Sequence, residues 1–292
     1  GDGRLRRWQP DAGTWVVDPQ ATHRRVAVAG AELTATEQAI RFGQRKVLVL
    51  PPDEGVIAEW YYTHGLLVIR RQRTASPSAT VAAPTPVNEL LGFSWTPAQH
   101  EPLSMGDSHP IALDPQREFV YAFGPDNDRL LAATNRGGVH RYDGQSWSTL
   151  RSPDGRSFQV YASLRIRDRL LLGQYPSGEL FQIEEGALER LDGWPPVMEG
   201  VSSNAREAQT LALYGGDVYV GVWPWGEVWR RDLAEGRWQL CGRTFTHPDL
   251  TDATTHPYEE ETTAVGEVLN LWGQRVTSMV PVGEWLYIST SS

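Results

Sequence analysis

Short apolar runs that alternate with polar positions, broken by Gly, Pro, Asn or Asp, recur along the chain. Three stretches carry the pattern most fully: RLLAATNRGGVHRYDGQSWSTL from Arg129, RLLLGQYPSGELFQIEEGALERL from Arg169 and DVYVGVWPWGEVWRRDLAEGRWQL from Asp217. Each reads as a strand, a short turn ending in Gly, a second alternating strand, another turn and a third strand. Alternation with period two puts successive side chains on opposite faces of an extended chain, and the turn residues end each run. An apolar segment precedes every copy, FVYAF from Phe119, VYASL from Val160 and TLALY from Thr210. Each unit therefore predicts four strands joined by tight hairpins.

Such a unit cannot bury both of its faces alone, so several must stack. The fold class this predicts is all-β, a β-propeller of four-stranded blades, with clear blades at 118–151, 158–192 and 208–242. VTSMVPVGEWLYISTSS at 276–292 supplies two strands and stops, and residues 1–17 supply a third and fourth strand with nothing before them. STSS followed by GDGRLRRW resembles the turns PSGELFQI and PWGEVWRR. The expectation is five blades, one shared by the two ends through antiparallel pairing of residues 5–8 with 286–290, closing a single 1–292 propeller. Residues 22–73 read as a fifth blade or a small β module, and the 74–100 stretch, with SPSATVAAPTP inside it, as a linker or surface loop.

Tyr142, Asp143, Gly144 and Trp147 in the string HRYDGQSW resemble the repeat of bacterial regulator-type propellers, with some likeness to kelch repeats. The resemblance covers roughly 119–240 and implies a fold, not an activity. The sialidase repeat is half matched: Gly144 and Trp147 fit it and Ser146 stands for its Thr, but His140 and Tyr142 stand where it has Ser and Asp. No catalytic residue is carried over.

Composition narrows the partners. A net charge of −9 argues against a general nucleic-acid binder. Lys46 is the single Lys, so Arg carries nearly all positive charge, and Arg is the better bidentate partner for carboxylates and sulfates. Cys241 stands alone, which excludes an internal disulfide and a Cys-rich zinc site; it reads as a small core residue. No apolar run approaches the roughly 18 residues of a membrane span, so no membrane insertion is expected.

In a propeller the turns between second and third strands gather on one face, where ligands are held. They would present Tyr62, His64, Asn135, Arg136, Tyr175, Trp223 and Trp225 as ligand-binding residues. Aromatic rims stack on sugar rings; the same Trp residues could also merely cover their hairpin. The long 243–276 connection brings His256, Tyr258, Glu259 and Arg275, which with Arg206 form a candidate set for proton transfer beside a uronate carboxylate. His247, Asp249, Asp252 and His256 have a spacing that could hold a divalent metal, although the stretch also suits a solvated acidic loop. No cofactor is otherwise expected. His109 can reach the same face, and Asp18, Asp107, Glu207 and Glu259 are eligible carboxylates for glycoside hydrolysis. The function this predicts is binding or cleavage of a carbohydrate, including anionic glycans, by a lyase or hydrolase if it is an enzyme. The alternative is a non-catalytic scaffold for a protein or peptide.

Overall fold

A computed structural model describes residues 6–17, 25–73, 86–115, 117–199, 206–247 and 273–292. The architecture is an all-β propeller type built of four-stranded blades, with five such sheets among the described residues. Sheet A holds β3 (Arg25–Val28), β4 (Ala31–Ala35), β5 (Ala39–Phe42) and β6 (Arg45–Val49). Sheet B holds β7 (Val56–Thr63), β8 (Leu66–Arg73), β9 (Val87–Ser94) and β10 (His109–Ala112). Sheet C holds β11 (Val120–Asp126), β12 (Arg129–Thr134), β13 (Val139–Tyr142) and β14 (Trp147–Arg151). Sheet D holds β15 (Gln159–Ile166), β16 (Arg169–Tyr175), β17 (Leu180–Glu184) and β18 (Ala187–Leu191). Sheet E holds β19 (Glu207–Tyr214), β20 (Asp217–Trp223), β21 (Glu227–Arg231) and β22 (Trp238–Arg243). All are meanders in which each strand pairs with its neighbours in sequence.

The three repeat copies form sheets C, D and E. Several expectations about the remainder need correction. Residues 22–73 do not make one blade: β3 to β6 form a sheet of their own, and β7 with β8 opens the next. The 74–100 stretch is not all loop, because β9 lies in it and pairs with β8 along its whole length. At the ends, β1 (Arg6–Gln9) pairs with β2 (Thr14–Val17), and β23 (Arg275–Val282) with β24 (Trp285–Ser291), as separate two-stranded sheets. The expected pairing of 5–8 with 286–290 is not among the strand pairings of the described residues, where each end forms a hairpin of its own. Cys241 is exposed on β22 rather than a core residue.

The chain divides into two compact units, one of Gly1–Val120, Asn127–Leu130 and Arg141–Ser148, the other of Tyr121–Asp126, Leu131–His140 and Thr149–Ser292. In the first, Leu33, Ile40 and Leu48 of sheet A pack on Leu67, Ile69 and Phe93 of sheet B. In the second, Leu131 and Val139 of sheet C meet Val160, Leu170 and Leu172 of sheet D. Leu171 and Leu180 of sheet D then meet Ala208, Val220 and Val222 of sheet E. Ala212 and Val228 of sheet E pack in turn on Val276 and Met279. Strand β16 therefore has apolar neighbours on both faces, Leu170 and Leu172 toward sheet C and Leu171 toward sheet E, which explains its run of three buried leucines.

Close stacking in the second unit needs a missing side chain. A Cβ on Gly173 of β16 would lie 2.2 Å from the Ala208 carbonyl oxygen of β19, and one on Gly221 of β20 would lie 2.6 Å from the Val276 Cβ of β23. Backbone cannot yield as a flexible side chain does. Gly173→Ala should therefore lower the unfolding free energy by about 1–3 kcal/mol, read from urea unfolding. Gly124→Ala, where a Cβ meets nothing within 4 Å, should leave it unchanged.

Candidate functional site

In the second unit a repeated turn places the first strand of each following sheet. Tyr175-Pro176-Ser177-Gly178 joins β16 to β17, and Trp223-Pro224-Trp225-Gly226 joins β20 to β21; both X-Pro bonds are cis. The Arg206 N–H donates to the Pro176 carbonyl at 2.8 Å, and the Gln274 N–H donates to the Pro224 carbonyl at 2.9 Å. The next residues, Glu207 and Arg275, then open β19 and β23. Antiparallel register sets Gln159 opposite Tyr175 and Glu207 opposite Trp223.

Two residues further on, the ladder is interrupted. Register shifts between Val160 and Ala162, Ala208 and Thr210, and Val276 and Ser278 leave Tyr161, Gln209 and Thr277 as the extra residues of β-bulges. A bulge bends its strand and re-aims a side chain.

The result is a chain of rings at one end of these strands. Ring centroids lie 5.5 Å apart for Tyr121 and Tyr161, 6.5 Å for Tyr161 and Tyr175, and 6.2 Å for Tyr175 and Trp223. The Arg275 guanidinium sits 5.3 Å from the Trp223 ring centre, and its Nε is 3.8 Å from Glu207 Oε2. The Tyr161 hydroxyl donates to Gln159 Oε1 at 3.1 Å.

Electrostatics follow from unequal exposure. Glu207 is 4% exposed, and Tyr161 37%. Burial pushes the Glu207 carboxyl above its ordinary value, while the Arg275 charge and the nearby Tyr161 hydroxyl oppose the shift. Burial also raises the phenols of Tyr161 and Tyr175, and the Glu207 charge adds to both. The Glu207 Oε2 and Gln209 Oε1 atoms are buried with no hydrogen-bond partner among the described residues.

Of the residues expected from sequence, Tyr175, Trp223 and Arg275 meet here with Glu207. Trp223 and Trp225 are each only 2% exposed, so neither offers a free face for stacking. Trp225 lies under the Arg243 guanidinium, 5.2 Å from its ring centre. Arg206 is an interior cation, 1% exposed, with Nη2 donating to the Pro196 carbonyl at 3.0 Å and 3.5 Å from Glu227 Oε2. Glu227 also accepts from Trp229 Nε1 at 2.6 Å, and burial raises its carboxyl despite Arg206. Asn135 and Arg136 occupy the turn after β12, where the Arg136 carbonyl accepts from the Asp154 and Gly155 N–H groups.

Tyr62 and His64 belong to the other unit and to a different turn, since the 64–65 hairpin joins first and second strands, not second and third. Tyr62 packs edge-on against Trp95 at 5.5 Å, and exposed His64 has Nδ1 3.0 Å from Thr63 Oγ1. Asp107 caps a short 3-10 turn by accepting from the Ser104 N–H, and the His109 carbonyl accepts from Trp147 Nε1. His256, Tyr258, Glu259, Asp249, Asp252 and Asp18 lie outside the described residues. Among the described residues no group of three or more His, Cys, Asp or Glu could hold a metal, and no helix is long and apolar enough to cross a membrane.

Sequence reasoning missed Tyr121, Gln159 and Tyr161. A signal existed: Val-Tyr-Ala occurs twice, at 120–122 and 160–162, at the same place in consecutive units.

No protein-family model matches the chain, and no curated protein matches it. Solved structures do, at low identity. The extracellular domain of BT4673 from B. thetaiotaomicron is 14% identical with a TM-score of 0.42, over 92% of this chain and 32% of that one. BamB from Moraxella catarrhalis is 13% identical with a TM-score of 0.44, over 74% of this chain and 60% of that one. YCF48 bound to D1 peptide is 15% identical with a TM-score of 0.36, over 75% of this chain and 64% of that one. The chain thus spans about a third of the length of the BT4673 domain that it matches.

A raised carboxyl makes stability pH-dependent. Folded Glu207 holds its proton above the ordinary value of 4.5, so it binds more protons folded than unfolded just above that pH. Its contribution is most favourable below pH 4.5 and declines as pH rises through the folded value. The stability of the wild type relative to Glu207→Gln should therefore fall between pH 4.5 and about pH 8, as read from urea midpoints at both ends. A constant difference would remove this role for burial.

Proposed function

We propose that this protein is a carbohydrate-recognition module whose site is the tyrosine row of Tyr121, Tyr161 and Tyr175 with Gln159, Glu207 and Arg275. The observation that carries this reading is the row itself. Three phenol rings lie side by side, the middle one 37% exposed, with an amide, a carboxylate and a guanidinium beside them. Rings of this kind cover the apolar face of a sugar, while the polar groups take its hydroxyls. Arg275 is shared with Glu207 at 3.8 Å, a distance that leaves room for it to turn toward a ligand carboxylate, so anionic sugars fit as well.

A peptide-binding scaffold is the second reading, and one observation favours it. Among the described residues strand β24 pairs with β23 alone and leaves Trp285 70% and Tyr287 60% exposed, an edge to which an extended peptide could add as a further strand.

A glycan array followed by calorimetric titration tests the first reading. Tyr161→Ala should lose roughly tenfold or more in affinity, the scale of one buried aromatic ring, with its urea midpoint nearly unchanged. If no glycan binds, the carbohydrate reading fails. A peptide array whose hits disappear with Trp285→Ala would then support the second.

A further inference from the structure

Beside the tyrosine row lies a cavity of about 120 Å³ between β11 and β15. Ala122, Gly124 and Ala162 of the two strands form its sides, with Leu131 and Leu172 behind them; the side-chain hydroxyls of its lining are those of Tyr161 and Ser163. At Gly124 a Cβ would meet no atom within 4 Å.

Three features limit what can enter. An apolar-walled cavity of about 150 Å³ accepts a benzene molecule, so this slightly smaller one takes a group of a few heavy atoms. Most of its lining is apolar, so a methyl group gains more by entering than a charged group, which would give up its water there. Tyr161 belongs both to this lining and to the tyrosine row, so a sugar stacked on that ring would hold a substituent at the cavity entrance.

We propose that the site selects N-acetylated sugars, the acetyl methyl entering this cavity and the Ser163 hydroxyl serving the acetamido group. The proposal rests on the carbohydrate reading and adds the substituent that decides between sugars. A six-membered ring bearing only hydroxyls would stack on Tyr161 equally well but leave the cavity unfilled.

The test uses the whole chain and two ligands with the same β-1,4 linkage, chitotetraose and cellotetraose, which differ in having acetamido or hydroxyl groups at C2. Calorimetric titration of the wild type should show chitotetraose bound more tightly by about fivefold or more, the scale of one buried methyl group. Gly124→Leu fills the cavity at a position with open space and should bring the two affinities together. Ser163→Ala keeps the cavity volume, changes an exposed position and should lower the preference without abolishing cellotetraose binding. Equal binding of both sugars by the wild type would overturn the selection while leaving the carbohydrate reading in place, as would an undiminished preference in both variants. Binding of neither sugar, or of any other glycan on the array, would overturn the reading beneath it.

Discussion

The second unit depends on a main-chain contact made twice, in which the turn after one sheet's second strand accepts a hydrogen bond from the residue that opens the next sheet. Arg206 gives its N–H to Pro176 and Gln274 gives its own to Pro224. Both partners are backbone, so the contact fixes register without prescribing side chains. Slippage by one residue would turn every side chain of a strand to the opposite face. Glu207 would leave Trp223, and Arg275 would leave both. The side-chain-free approach at Gly173 and Gly221 lets the strands come close enough for the same contact to form.

Two arginines expected to act on a ligand have different environments. Arg206 is enclosed with Glu227, where each charge offsets the desolvation of the other, and removing one partner from such a pair generally costs more than the pair contributes. It therefore serves the fold. Arg275 stands at the edge of the same region, 32% exposed, stacked on Trp223 and only loosely paired with Glu207. It keeps hydrogen-bonding capacity for a ligand. One strand step separates the residues these cations neighbour, yet burial divides their roles.

Much of the architecture could be read in the sequence. Sheets C, D and E were visible because their strands keep a regular alternation between Gly-marked turns. Sheet A was not, since β3 and β5 are only four residues long, too short for a period to declare itself. Strand β9 was hidden by the long connection that separates it from β8. For the site, Tyr175, Trp223 and Arg275 could be placed by their offset from the turns, but the burial of Trp223 and Trp225 depends on the neighbouring sheet and leaves no local mark. Tyr161 escaped for a physical reason. A bulge adds one residue, and alternation counted through it assigns the wrong face.

That extra residue has a consequence for how such a protein can change over time. The bulged positions Tyr161, Gln209 and Thr277 carry three different side chains at one equivalent place, outside the regular ladder. Substitution there changes the side chain presented without asking the ladder to re-pair. Surface chemistry and foldability are thereby written on separate residues, so a lineage can change these positions while the hydrogen-bonded frame stays constant.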